Sequence, residues 1–183
     1  KSQIHPHFLF NTINNLYALA RRKSDKTAPV ALKLASLLRY ILYESAKPAV
    51  RLEQEVQNLR DYVELEKLRF DEERLTVKMA VEMDNPLQQI TPLLLLPLVE
   101  NAFKHGVSEQ REEARVDIRI ELKNNILEVI IRNTKSADPQ ENPQGIGLKN
   151  VRRQLELLYP GRHRLDITTG ENTFSAGLRI DFD

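Results

Sequence analysis

The stretch LEQEVQNLRDYVELEKLRFDEERLTVKMAVEM, residues 52–83, changes its apolar period partway along. Val56, Leu59, Val63, Leu65 and Leu68 recur at helical spacing among many charges, and predict a helix over 52–70. Asp71-Glu72-Glu73 ends that pattern. Leu75, Val77, Met79 and Val81 then alternate as one face of a strand. The switch here from period 3.6 to period 2 predicts an α+β protein with a helical first part and a sheet in the second.

Upstream, Phe8, Ile13, Leu16, Tyr17 and Leu19 predict a first helix, interrupted by the polar stretch 21–27. From about Pro29, Leu32, Leu34, Leu37, Leu38, Ile41 and Leu42 predict a second, stopped at Lys47-Pro48 because the residue before proline resists helical geometry. Two helices joined by a short loop make a hairpin. So short a hairpin leaves apolar surface uncovered, and pairing of two copies into a four-helix bundle would cover it. Downstream, Val116, Ile118, Ile120 and Leu122 alternate up to Asn124-Asn125, and Leu127, Val129 and Ile131 alternate after it, as in a β-hairpin. Residues 165–169 and 174–182 flank Gly170-Glu171-Asn172 as two more strands, in a mainly antiparallel sheet. Helices over 92–106 and 146–159 are apolar on one side and would cover one sheet face, giving a two-layer α/β sandwich. The polar loop 135–144 lies before Gly145 as a candidate lid.

Composition narrows the function classes. With 27 basic against 26 acidic residues in 183, no broad positive field favours a nucleic-acid backbone, so direct nucleic-acid binding is not expected. Cysteine is absent, which removes disulfides and Cys-based zinc sites, and four scattered histidines make a metal cage improbable. The longest apolar run, 93–99, is far short of the roughly 20 residues that cross a bilayer. The chain opens on Lys1, so a sensor or membrane anchor upstream is expected.

Three stretches carry chemistry. In His5-Pro6-His7-Phe8-Leu9-Phe10-Asn11 one of two imidazoles is a candidate nucleophile, since neutral imidazole, with a free pKa near ~6.5, offers a nitrogen lone pair. Asn11 lies one helical turn after His7. In Leu98-Val99-Glu100-Asn101-Ala102-Phe103-Lys104-His105-Gly106 the same spacing groups Asn101, Lys104 and His105; an amide oxygen suits magnesium and an ammonium suits phosphate, so the set suits a magnesium-nucleotide. Gly145-Ile146-Gly147-Leu148 opens a helix whose positive end suits an anion.

These elements, in this order, resemble the LytS-like sensor histidine kinases, in PHFLFN at 6–11, LVENAFKHG at 98–106 and GIGLKNVRRQL at 145–155. The resemblance spans nearly the whole chain. It implies a dimerising histidine-phosphotransfer hairpin over 1–50 and an ATP-binding domain of the Bergerat (GHKL) sandwich type over 51–183. It implies His7 as phosphoacceptor with His5 a bystander, Asn101 as the magnesium ligand, and Lys104 and His105 beside the phosphates. Asn133 would accept from the adenine amino group, Gly145, Gly147 and Leu148 would close over the nucleotide, and Arg152 matches an arginine of the same motif. ATP and Mg2+ are the implied cofactors. A homodimer, a response regulator of possible LytTR type, and a cytoplasmic position in a bacterial membrane receptor are the implied context.

The departures from the family pattern have consequences. Phe8 stands where larger kinase families carry an acidic base, which leaves two alternatives: neutral His7 needs only late deprotonation, or Glu100 assists. Asn11 is positioned to orient water on a phosphorylated partner. The DxGxG adenine-binding box is degenerate: the strand ends in Asn133-Thr134-Lys135-Ser136-Ala137, which keeps an amide at Asn133 and lacks both glycines. Pro97 occupies the place of the water-activating carboxylate of hydrolytic relatives and disfavours ATP hydrolysis. The expected activity is autophosphorylation of His7 and transfer to a regulator aspartate; the alternative is a pseudokinase-like dimeric scaffold with weak or no turnover.

Overall fold

A computed structural model describes residues 5–70, 72–106, 113–135 and 146–183, with the backbone alone described at His105, Gly106 and Ile146. The chain divides into two units, one of Lys1–Glu72 with Gln89–Leu93, the other of Glu73–Gln88 with Leu94–Asp183.

The first unit holds α1 (Pro6–Arg21), α2 (Thr27–Leu42), β1 (Val50–Arg51) and α3 (Leu52–Lys67), and takes back from later in the chain β3 (Gln89–Ile90). Proline at the start of α1 occupies a position whose N–H has no helical partner anyway. Only Phe8 and Thr12 of α1 are buried: Phe8 packs on Tyr62 of α3 with ring centroids 4.8 Å apart, and the Thr12 hydroxyl donates to the Phe8 carbonyl at 2.9 Å. The opposite side of α1 exposes Phe10, Ile13 and Tyr17, and α2 exposes Leu32 and Leu42. A four-helix bundle is therefore not completed within the described residues of one chain.

The long helix α3 starts where the period predicts, with the Arg51 N–H held by the Gln54 side chain at 3.1 Å. It ends at Lys67 rather than Phe70, the last residues forming turns closed by Arg69 N–H to Glu66 and Phe70 N–H to Lys67. Four of its polar residues, Glu55, Asn58, Asp61 and Glu66, are buried among its apolar ones. Glu55 accepts hydrogen bonds from the Tyr40 hydroxyl of α2 and from the Leu93 N–H, the latter at 3.1 Å. Burial first, and then the Glu55 carboxylate, push the Tyr40 hydroxyl far above an ordinary phenol. Antiparallel pairing of β1 with β3, Val50 opposite Ile90, closes the unit.

Burial also raises Glu66 above the usual carboxyl range, countered in part by Arg69 at 3.2 Å and the Tyr62 hydroxyl at 3.3 Å. The folded chain then keeps a proton that the unfolded chain has released. The contribution of Glu66 to stability is accordingly full below the ordinary carboxyl value of about 4.3 and declines as pH rises through the raised one. Glu66→Gln is expected to flatten this decline in urea midpoints measured between about pH 4 and about pH 8; parallel curves for the two proteins would contradict it.

The second unit is built on β2 (Leu75–Met83), α4 (Leu96–Gly106), β4 (Ala114–Lys123), β5 (Ile126–Thr134), α5 (Ile146–Leu158), β6 (His163–Thr169) and β7 (Thr173–Asp181). Its described strands form one sheet in the order β2-β4-β5-β7-β6. The β4–β5, β5–β7 and β6–β7 pairs are antiparallel, whereas β2 and β4 are parallel. Parallel neighbours need a crossover, and the segment between these two contains α4. Asn124 and Asn125, at φ 51° and 62°, make the tight β4–β5 turn, which fits asparagine's tolerance of left-handed backbone.

One sheet face, with Val116, Ile118, Ile120, Leu127, Val129, Ile131, Ala176, Leu178 and Ile180 buried, lies under α4 and α5. From the helices Leu98, Val99, Ala102 and Phe103, and Leu148, Val151 and Leu155, fill the same layer. The result is an α+β chain with a two-layer sandwich, as the periods predict. Helix α4 begins at Leu96 rather than Pro92: Leu93 sits at φ 58°, which no right-handed helix contains, and the following residues bend before Pro97 enters the first turn.

Candidate functional site

In the first unit, His5 is the N-cap of α1 and His7 lies in the first turn; both are exposed. The Nδ2 of Asn11 lies 3.1 Å from the His7 Nδ1, the contact that a four-residue helical spacing allows. Among the described residues His7 has no other hydrogen-bond partner and no carboxylate within ion-pair distance. Phe8, the residue in the place of the expected base, is 5% exposed and holds α1 to α3. Packing therefore accounts for phenylalanine there, and leaves His7 turned away from the core.

In the second unit, α4 buries Leu98, Val99, Ala102 and Phe103 and leaves Glu100 and Asn101 half-buried and Lys104 exposed. His105 closes the same helix, and its side chain lies outside the described residues, as does the whole of Gly145 and of the loop 136–144. Gly147, in the first turn of α5, is exposed; a Cβ there would meet nothing nearer than the Pro97 Cβ at 4.0 Å, so sterics do not require glycine. That contact also brings the first turns of α4 and α5 together. Leu148 is 2% exposed and belongs to the core layer. Arg152 donates through Nη1 to the Leu165 carbonyl at 3.3 Å, tying α5 to β6.

Asn133 stands at the end of β5 on the helix-covered sheet face, in step with Val129 and Ile131, and is 2% exposed. Its Nδ2 donates to the Thr134 carbonyl at 2.9 Å, while its Oδ1 is buried with no partner among the described residues. Leaving such an acceptor unpaired costs about 1–3 kcal/mol, so a donor from a ligand would be favoured there. Composition alone does not reveal this orphaned oxygen; the period-2 alternation of β5 carries the signal, because it sends an amide inward with the valine and isoleucine.

The opposite sheet face carries an open concavity of about 730 Å³ lined by Lys78, Arg115, Asp117, Arg119, Ile130 and Arg132 among others. Arg115 there is bound through Nε to Asp117 at 2.8 Å, the bond that holds its guanidinium above the ordinary arginine value. This hollow contains none of the residues singled out above, and its volume does not make it the candidate site. No group of three His, Cys, Asp or Glu side chains able to hold a metal occurs among the described residues, nor does any described helix have the length and apolarity to cross a membrane.

Known proteins resemble this chain in sequence and in fold. The sensor histidine kinase BtsS of Escherichia coli K12 is 33% identical over 175 residues, covering 95% of this chain and 31% of that protein. The sensor protein LytS of Enterococcus faecalis is 28% identical over 172 residues, 87% of this chain and 29% of that one. The chain thus spans about a third of the length of the curated relatives it matches. Among solved structures, the histidine kinase domain of the Erythrobacter litoralis blue-light activated kinase aligns over 97% of this chain and 96% of that one, with TM-score 0.54 at 15% identity. The catalytic domain of histidine kinase ThkA aligns over 73% of this chain and 94% of that one, with TM-score 0.50 at 18% identity. Both share the fold. Residues 1–75 match the Histidine kinase family, and along nearly its full length this chain is similar to the sensor histidine kinases BtsS and LytS.

Proposed function

We propose that the chain is the kinase core of such a receptor: it takes the γ-phosphoryl group of ATP onto His7 and passes it to an aspartate of a separate response regulator. The observation that carries this reading is the buried, unpaired Oδ1 of Asn133, an acceptor suited to the adenine amino group. Asn101 supplies an amide oxygen for magnesium and Lys104 a cation for the phosphates; both project from α4, which packs on the same sheet face. With no acidic cluster among the described residues, magnesium would take most of its oxygens from phosphate and water. Magnesium-ATP supplies the phosphoryl group and screens its charge. In this reading Gly145 and Gly147 would close over the nucleotide and Arg152 braces α5 through the Leu165 carbonyl, with Glu100 the nearest acid in sequence to Asn101.

The functional division we adopt is a histidine-presenting hairpin over 1–50 and a nucleotide-binding part over 51–183. The apolar residues exposed on α1 and α2 support dimerisation into a four-helix bundle. An upstream sensing segment, a place on the cytoplasmic side of a membrane, and a regulator of LytTR type complete the reading. The degenerate adenine box, with Lys135 and Ala137 in place of its glycines, favours a second reading: a dimeric scaffold with little or no turnover.

Incubation with γ-labelled ATP and Mg2+ separates the two, since the kinase acquires an acid-labile label and the scaffold does not. Asn133→Ala is expected to weaken magnesium-ATP binding roughly tenfold by calorimetry, the size of one buried hydrogen bond. An unchanged affinity would remove Asn133 from the site.

A further inference from the structure

We propose that Asn11 sets the tautomer of His7 and thereby makes a catalytic base for this histidine unnecessary. The inference rests on the reading of His7 as phosphoacceptor. A neutral imidazole has one N–H and one lone pair, and the nitrogen that carries the proton cannot attack. The Asn11 amide reaches the ring at Nδ1, 3.1 Å away, and neither side chain has another hydrogen-bond partner among the described residues. Two arrangements satisfy that contact. With Asn11 Nδ2 toward the ring, the amide donates to Nδ1 and the ring proton sits on Nε2, which leaves the outer nitrogen without a lone pair. Rotation of the amide by half a turn exchanges its oxygen and nitrogen at almost the same positions. Asn11 Oδ1 then accepts from Nδ1–H, and Nε2 is bare.

Nothing among the described residues holds the far end of the amide, so it is free to present its oxygen. In that arrangement the Nε2 lone pair forms the N–P bond as the bond from γ-phosphorus to the bridging oxygen breaks, and ADP leaves with that electron pair. The ring proton stays on Nδ1, hydrogen-bonded to Asn11 Oδ1, and the product is a phosphorylated imidazolium. On transfer to an aspartate oxygen the N–P electrons return to Nε2, and the ring is neutral again with its proton still on Nδ1. No proton leaves the ring at any step. The place next to His7 is accordingly open to a core residue, and Phe8 takes it. Asn11 is a positioning residue here, since it acts through the His7 ring.

The test reads the tautomer directly, by long-range proton–nitrogen correlation on the chain with nitrogen-15 histidine, without nucleotide and at a pH where the ring is neutral. Signals of His7 are assigned by their loss in His7→Gln. Asn11→Asp, which only accepts, should enrich the Nδ1–H form above wild type, and Asn11→Ala should return His7 to the ratio of free histidine. The rate of labelling should follow: roughly tenfold slower in Asn11→Ala, as one hydrogen bond can shift a tautomer ratio, and retained in Asn11→Asp. An identical tautomer ratio in wild type and Asn11→Ala overturns the inference even if His7 is labelled. If wild type takes no label, the kinase reading fails while the tautomer comparison still decides the role of Asn11.

Discussion

Glu55→Ala is expected to destabilise the chain by about 3–5 kcal/mol, a large part of the roughly 5–15 kcal/mol that holds a typical domain folded. Glu55 is fully buried, and its carboxylate receives both the Tyr40 hydroxyl and the Leu93 N–H. Truncation leaves two buried donors facing a cavity, so the cost of unpaired polar groups adds to that of lost packing. Glu55→Gln keeps an acceptor oxygen and the shape, and should cost about 1–2 kcal/mol. Urea midpoints of the three proteins check the order; an alanine variant within about 0.5 kcal/mol of wild type would show that the carboxylate holds nothing. The Leu93 backbone makes the loss greater. A left-handed leucine costs about 1–2 kcal/mol, and the bond to Glu55 is one of the forces that keep it there. Leu93→Gly would relieve that strain, but it removes a side chain only 4% exposed, whose burial contributes about 2–3 kcal/mol, so the net change is still a loss.

The second large effect is on chemistry alone. His7→Gln should reduce acid-labile labelling below detection, because glutamine keeps the size of the ring and offers no nucleophilic nitrogen. His7 is exposed and bonded only to Asn11 among the described residues, so stability should move by less than about 0.5 kcal/mol and nucleotide affinity by less than about twofold. His5→Gln should be labelled as wild type. Full labelling of His7→Gln would transfer the acceptor role elsewhere.

What was legible in the residues follows from how far apart the cooperating groups lie. The alternation at Leu75–Met83, at Ala114–Lys123 and at Ile126–Thr134 produced the strands, because a half-buried strand advertises itself every second residue. The two-residue strands β1 and β3 have no period to read. That β2 runs parallel to β4 is equally invisible in alternation, since it depends on α4 carrying the chain back to the same end of the sheet. In α3 the charges looked alike in sequence, yet Glu55, Asp61 and Glu66 went inside. The partners of Glu55 stand 15 and 38 residues away, beyond any local pattern. At the candidate site the His7–Asn11 contact was readable because a helix sets it locally, whereas the orphaned oxygen of Asn133 depends on what covers the end of β5.

The division of the chain bears on how such proteins can be recombined. The backbone passes between the two units three times, after Glu72, Gln88 and Leu93. No single breakpoint yields either unit whole. A chimera joined at residue 72 would inherit Gln89–Leu93 from the second parent, and would ask that segment to pair with a foreign Val50 and to present its backbone to a foreign Glu55. Exchange of the first unit between related chains is therefore constrained by five residues, Gln89–Leu93, that lie in sequence inside the second unit.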